Sequence, residues 1–271
     1  MSIVVNTNIG SLNAQRSLAE SSRELATAME RLSSGKKINS ASDDAAGFAI
    51  AERMTAQVRG LNMATKNAND GLAMLATIEN ATNDVTDMLQ RIRELAVQAA
   101  NDTNGANDRV YLQNEVDDLV TEINRVSTDT VYNDSVVLDG NLAGKLQVGT
   151  LATQTIDFAI DAVDATTLGV DALDLSSAAT AAAALTSIDT AIETVAANRA
   201  SYGSLSNRLE YTVSNLMNVA EYTTAARSRI EDADFAAESA RLAKAQVLQQ
   251  TGTAMLAQAN ASSQLAIQLI R

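Results

Sequence analysis

Not one proline interrupts the 271 residues of this chain. Proline is the strongest breaker of helix interiors: it lacks the N–H that continues the ladder, and its ring clashes with the preceding turn. Its absence leaves nothing of that kind to stop a helix from running for tens of residues. Ala, Leu, Gln, Glu and Arg, all good helix formers, are abundant. Aromatic residues make up only 3%, which is thin for a compact globular core and suits long helices packed along narrow seams. The expected fold class is mainly α, an elongated antiparallel helical bundle or coiled coil.

Periodicity places the helices. From about Ser11 to Leu32, the residues Leu18, Leu25 and Leu32 recur every seven positions, with Met29 between them. The stretch SSGKKINSASDDAAG breaks the pattern, and its Ser42, Asp43 or Asp44 can cap a second helix. That helix is expected from about Ala45 to about Ala100, with Leu72, Leu75, Ile78, Val85, Leu89, Ile92 and Leu95 on its seam. At 1.5 Å per residue such a helix is roughly 80 Å long and must lie against others. NDTNGAND, with Gly105 at its centre, suits a turn and a cap. After it, Leu112, Val116, Leu119, Ile123 and Val126 form one apolar stripe.

The middle changes character. Asp139-Gly140 is a hairpin turn signal. QTIDFAIDAV alternates Ile156, Phe158 and Ile160 with polar or small residues, the period of a half-buried strand. A small β-hairpin region is expected at about 130–175. Beyond it, Ile188, Val195, Tyr202, Leu209 and Leu216 recur every seven residues. Leu185, Ile192, Val213 and Ala220 lie on the neighbouring track, interrupted by Arg199 and Ser206. Sustained heptads of this kind argue for bundle or coiled-coil packing. In the final stretch Ala245, Gly252, Ala259 and Ala266 repeat at the same interval, all small, beside Leu248, Met255 and Leu269.

Both ends of the chain are thus amphipathic helices with no obvious core to join. They are most simply satisfied by pairing with each other, antiparallel, and with further copies of the chain. Two domains are expected: a discontinuous one from 1–44 and 232–271, and one from 45–231 that carries the β region. The residues alone point to a self-assembling structural protein.

Composition excludes other chemistry. Without Cys or His there is no disulfide, thiol nucleophile, serine triad or ordinary zinc or haem site. A carboxylate-based enzyme or a Mg²⁺ or Ca²⁺ site stays open on composition, while the self-assembling reading expects neither catalysis nor a cofactor. Asp161, Asp164, Asp171 and Asp174 do not match the spacing of a calcium loop and read as a solvated acidic surface. A net charge of −13 argues against nucleic acid and against an anionic membrane surface. No apolar stretch reaches membrane-spanning length, and no basic, apolar leader is visible at the start. On these features alone the chain would be a soluble cytoplasmic protein.

Long segments nevertheless resemble bacterial flagellin. At the front these are VVNTNIGSLNAQRSL and ERLSSGKKINSASDDAAGFAIAERM, then NDGLAMLATIENA and LQRIRELAVQAAND. At the back they are ARSRIEDADFAAESARLAKAQVLQQTGTAMLAQAN and the closing IQLIR. The resemblance covers about residues 1–135 and 185–271, and LQVG, TIDFAIDAV and TTLGVD sit where flagellins have a small hairpin region. It implies a minimal flagellin without the outer variable domains, polymerising into the hollow filament used for motility.

The resemblance carries further expectations. Leu18, Leu25, Met29 and Leu32 would pack with Ala245, Leu248, Gly252, Met255, Ala259, Ala266 and Leu269 in an inner tube. Export by the flagellar type III route would make the protein secreted and extracellular, displacing the cytoplasmic reading. Partners would be a filament cap, hook-junction proteins, an export chaperone at the C-terminal helix and, where a host exists, a Toll-like receptor. From spacing alone, Arg91, Arg93 and Glu94 are a solvated helix face. By resemblance, Gln90, Arg91, Arg93, Glu94, Leu95, Gln98 and Glu115 form a surface for neighbouring subunits or the receptor. O-glycosylation by family habit would fall on Thr150, Thr153, Ser176, Ser177 or Thr180. Two rivals stand beside this reading. A hook–filament junction protein shares the terminal design but matches weakly through LQRIRELAVQAAND. A cytoplasmic coiled-coil signalling module would keep heptads to both ends and lack the SSGKKINSASDD break.

Overall fold

The computed structural model describes the backbone of residues 7–268 and the side chains of residues 7–261. The chain is mainly α. Its elements are α1 (Ile9–Ser34), α2 (Ala45–Ala99), α3 (Ala106–Asp129), β1 (Val131–Tyr132), β2 (Ser135–Val136), β3 (Ala143–Gln147), β4 (Thr155–Ala159), α4 (Ala165–Leu168), α5 (Ala178–Glu231) and α6 (Phe235–Gln268). The two longest, α2 and α5, have 55 and 54 residues, as a proline-free sequence permits.

Side chains in the connecting segments set the helix ends. Asn8 Oδ1 accepts from Ser11 N–H (3.0 Å) at the start of α1. Gly35, with φ of 72°, closes it by donating to the Arg31 carbonyl. Of the three cap candidates before α2, Asp44 takes the role: its Oδ1 accepts from Ala46 and Gly47 N–H (3.1 and 3.0 Å). Asp43 instead ties the loop, accepting from Asn39 and Ser40 N–H. Asp234 caps α6 through Ala236 and Ala237 N–H.

Residues pack as two compact units, one built from the described residues up to Ala56 and from Tyr222 onward, the other from Gln57–Glu221. In the first, the terminal helices α1 and α6 pair antiparallel. Asn8 Nδ2 donates to the Ala259 carbonyl (2.9 Å), Leu18 lies against Gly252, and Arg31 faces Glu238 (3.9 Å). Beyond α1 the segment that breaks the first heptad run is stitched to the α5–α6 junction. There the Glu231 carbonyl accepts from Lys37 N–H (2.6 Å), and the Gly35 carbonyl accepts from Ala233 N–H (3.0 Å).

The second unit holds the hydrophobic core, shared by α2, α3, α5 and the β region. The seam residues Leu75, Ile78, Val85, Leu89, Ile92 and Leu95 are all at most 3% exposed. From α5 the heptad residues Ile188, Val195, Tyr202 and Leu209 come in buried, and α3 adds Val116 and Ile123, while Leu216 is buried in a smaller cluster with Leu61 and Ala64. Arg199, one of the two polar interruptions on the second track, donates from Nη2 to Glu79 Oε1 (2.6 Å) on α2. That pair explains how a charge fits beside a heptad seam.

The β region contains two antiparallel hairpins, β1–β2 and β3–β4. Ile156 and Ile160 are buried while Asp157 and Ala159 are exposed, as their alternation predicts. The turn expected at Asp139-Gly140 is not a hairpin turn. There Asp139 Oδ1 accepts from Asn141 N–H (3.0 Å), bending the link between β2 and β3. The tight hairpin turn is Asn133-Asp134, with φ of 48° and 64°, the positive-φ pair that a two-residue turn needs. Asn and Asp tolerate that region better than other non-glycine residues, and the competing Asp-Gly pair masked the signal.

Candidate interaction surfaces

The terminal unit is built around small residues. Gly252 faces Leu18 so closely that a Cβ on it would lie 3.4 Å from Leu18 Cδ1 and 4.0 Å from its Cα. Ala28 and Ala245 are buried at 2% and 1% exposure. Leu18, Leu25, Leu32, Gly252 and Ala259 are half-buried. Larger apolar side chains face outward: Met29 is 52% exposed, Leu248 43% and Met255 63%. Leu269 lies outside the described residues, and Ala266 outside the described side chains. A groove of about 680 Å³ runs beside the helix pair, lined among others by Gly10, Ala14, Leu248, Gly252, Met255 and Ala259. Next to it, Glu238 is buried at 5% exposure and accepts from Arg241 Nη1 (3.1 Å), with Arg31 at 3.9 Å. Sequence reading passed over Glu238, because nothing in its own segment marks it as buried.

The LQRIRELAVQAAND stretch lies near the C-terminal end of α2. Leu89, Ile92 and Leu95 point into the core at 0%, 0% and 1% exposure. Leu95 therefore leaves the expected contact surface: its position on the helix turns it inward with Ile92, not outward with Glu94. Gln90, Arg91, Arg93, Glu94 and Gln98 are exposed. Val97, half open at 50%, joins them and was not anticipated. Arg91 forms one flank. Its Nε and Nη2 donate to Glu115 Oε1 on α3 (2.9 and 2.7 Å), and its Nη1 donates to Glu94 Oε2 (3.0 Å). Arg93 forms the other flank, donating from Nε to Asp189 Oδ1 on α5 (2.7 Å). Glu115 first, then Glu94, hold the Arg91 guanidinium above its ordinary pKa, and Asp189 does the same for Arg93. Two fixed cations thus bracket Gln90, Glu94, Val97 and Gln98. Asp189 escaped sequence reading because it is 96 residues from Arg93.

At the tip, the expected modification sites separate. Thr153 and Ser176 are exposed. Thr150 is also exposed but sits against α2, where a Cβ on Gly60 would lie 2.7 Å from its Cγ2. Ser177 and Thr180 are engaged with each other: Thr180 N–H donates to Ser177 Oγ and Ser177 N–H to Thr180 Oγ1 (both 3.1 Å). This reciprocal pair caps α5. The acidic residues do local work: Asp164 Oδ2 accepts from Thr167 N–H at the start of α4, and Asp174 Oδ1 from Ser176 N–H. No group of acids suited to hold a metal ion is found among the described residues, and none of the described helices is long and apolar enough to cross a membrane.

Known relatives match the sequence of this chain along almost its whole length. The bacterial flagellin N-terminal helical region matches residues 5–143, and the bacterial flagellin C-terminal helical region matches residues 185–270. The flagellin of Halalkalibacterium halodurans is 40% identical over 272 residues, covering 99% of this chain and 100% of that protein. The flagellar filament 33 kDa core protein of Treponema phagedenis is 38% identical over 286 residues, with the same coverage. Among solved structures, the crystal structure of Bacillus cereus flagellin aligns with a TM-score of 0.50 at 30% identity, covering 56% of this chain and 88% of that one. The chain belongs to the bacterial flagellin family and is a structural subunit of the flagellar filament.

Proposed function

We propose that polymerisation works by covering the apolar faces that the terminal unit leaves open, without catalysis or cofactor. The observation that carries this is the exposure of large apolar residues on α1 and α6: Ile9 63%, Leu12 57%, Phe235 69%, Val247 58% and Met255 63%. Removing such surface from water is worth roughly 25 cal/mol per Å², and a helix apolar on more than one side calls for several partners. Residues 1–44 and 232–271 form the inner tube of the filament and 45–231 the outer one. The subunit acts in the extracellular filament after export by the flagellar type III route. A chaperone covers the C-terminal helix before export, and cap and hook-junction proteins meet the same terminal faces at the two filament ends.

Deleting residues 1–32 or 237–271 tests the first part. Such chains keep a folded second unit by circular dichroism and form no filaments in electron micrographs. Filaments from either truncated chain contradict the reading.

A second role rests on the bracketed surface of α2. In the released subunit, Gln90, Arg91, Glu94, Gln98 and Glu115 are open to a host Toll-like receptor, and in the filament a neighbouring subunit covers them. Reporter cells given purified monomer respond, and an Arg91→Ala, Glu115→Ala variant responds weakly. Silence of the wild-type monomer at saturating concentration removes this role. Glycans, where added, fall on Thr153 or Ser176 in preference to the paired Ser177 and Thr180. Peptide mass spectrometry of native filaments reads this directly.

A further inference from the structure

We propose that Met29 and Met255 are oxidation sites at which sulfoxide formation blocks polymerisation. The chain contains no Cys and no Trp but eight Met. The thioether is therefore the group that a two-electron oxidant such as hydrogen peroxide meets first. One oxygen passes from the peroxide to Sδ. The sulfur is oxidised by two electrons, and the peroxide is reduced to water.

Position decides the consequence. Met74 is protected in the core at 8% exposure, whereas Met29, Met63, Met217 and Met255 are 52%, 57%, 59% and 63% exposed. Met63 and Met217 belong to the unit that has its own core. Met29 and Met255 lie on the terminal helices, and Met255 lines the groove with Leu248, Gly252 and Ala259. A methionine suits such a surface because it is flexible and apolar. Its sulfoxide is polar and must keep its S=O solvated or hydrogen-bonded. The free subunit tolerates that group in water. A face closing against small residues does not.

This rests on the reading that assembly covers the terminal faces, and the experiment separates the two. Full-length wild type, M29L/M255L and M63L/M217L are treated with hydrogen peroxide, and the sulfoxides are mapped by peptide mass spectrometry. The concentration needed for polymerisation is then measured by sedimentation. Leucine keeps similar volume and apolarity without the oxidisable sulfur. Peroxide raises the required concentration about tenfold or more for wild type and for M63L/M217L, as burying an uncompensated polar group implies, and leaves M29L/M255L unchanged. Methionine sulfoxide reductase returns oxidised wild type to its starting value. The proposal is overturned if M29L/M255L loses assembly as wild type does. It is equally overturned if wild type assembles normally while carrying both sulfoxides. If M29L/M255L cannot polymerise even untreated, M63L/M217L decides: loss of assembly on oxidation with recovery by the reductase supports the proposal, and assembly that survives oxidation overturns it. Untreated wild type that never polymerises contradicts the assembly reading itself and takes this proposal with it.

Discussion

The two units of this chain solve burial in opposite ways. Between Gln57 and Glu221, leucines, isoleucines and valines from three long helices and two hairpins meet in one main core, many of them fully buried, beside a small cluster of Leu61, Ala64 and Leu216. In the terminal unit the buried apolar side chains among the described residues are Ala28, Ile38, Ala51 and Ala245, while Ile9, Leu12, Phe235 and Met255 face outward. The first kind of unit has a closed core of its own. The second brings two backbones close and keeps its large apolar groups for something else. On the proposed reading, the difference separates residues that fold the subunit from residues that join subunits.

Substitutions at equivalent-looking leucines break the comparison most sharply. Truncating Leu89 or Ile92 to Ala empties space in the core and costs about 2–5 kcal/mol, read as a large loss of stability in urea denaturation. Truncating Leu248 or Met255 to Ala changes free-subunit stability by about 0.5 kcal/mol or less, yet raises the concentration needed for polymerisation. Equal losses at both places would erase the distinction.

Smaller effects sharpen it within the terminal unit. Replacing Glu238 with Ala removes the buried acid facing Arg31 and Arg241 and costs about 1–3 kcal/mol, measured as melting of α1 and α6 ahead of the second unit. Gly252→Leu wedges α1 from α6, whereas Gly252→Ala fits the 3.4 Å space and gains up to about 1 kcal/mol of helix stability. Circular dichroism melts of the two variants diverge in sign.

Acid acts on the loop between α1 and α2. Ser40 N–H first, then Asn39 N–H, hold the Asp43 carboxyl below its ordinary pKa of 3.8. A carboxyl depressed on folding adds stability that is present above its ordinary pKa and is lost as pH falls toward the folded value. The loop therefore keeps its amide protection at neutral pH and loosens below about pH 4. Asp43→Asn removes that pH dependence. Arg91→Ala is the mildest change, because an exposed ion pair is worth about 0–1 kcal/mol. It leaves the melting curve nearly unchanged and shows only in receptor or assembly assays.

Much of this was legible beforehand because helix periodicity is local. The heptad from Ile188 to Leu216 and the seam from Leu75 to Leu95 are buried where spacing put them. Pairings across the chain were not legible, since Arg93 meets Asp189 and Arg199 meets Glu79 through the fold and not through sequence spacing. The resemblance placed Leu95 on the contact surface, although its seam spacing already turned it inward. The tight turn was missed because Asn133-Asp134 lacks the glycine that Asp139-Gly140 displays.

Hydrogen exchange, measured separately in free subunit and filament, tests most directly whether copies complete the terminal unit. In the free subunit, amides of α2, α3 and α5 between Gln57 and Glu221 are strongly protected while those of α1 and α6 exchange quickly. In the filament α1 and α6 become as protected as the core helices. Terminal helices already fully protected in the free subunit, or still exchanging freely in the filament, would contradict the proposed division of labour.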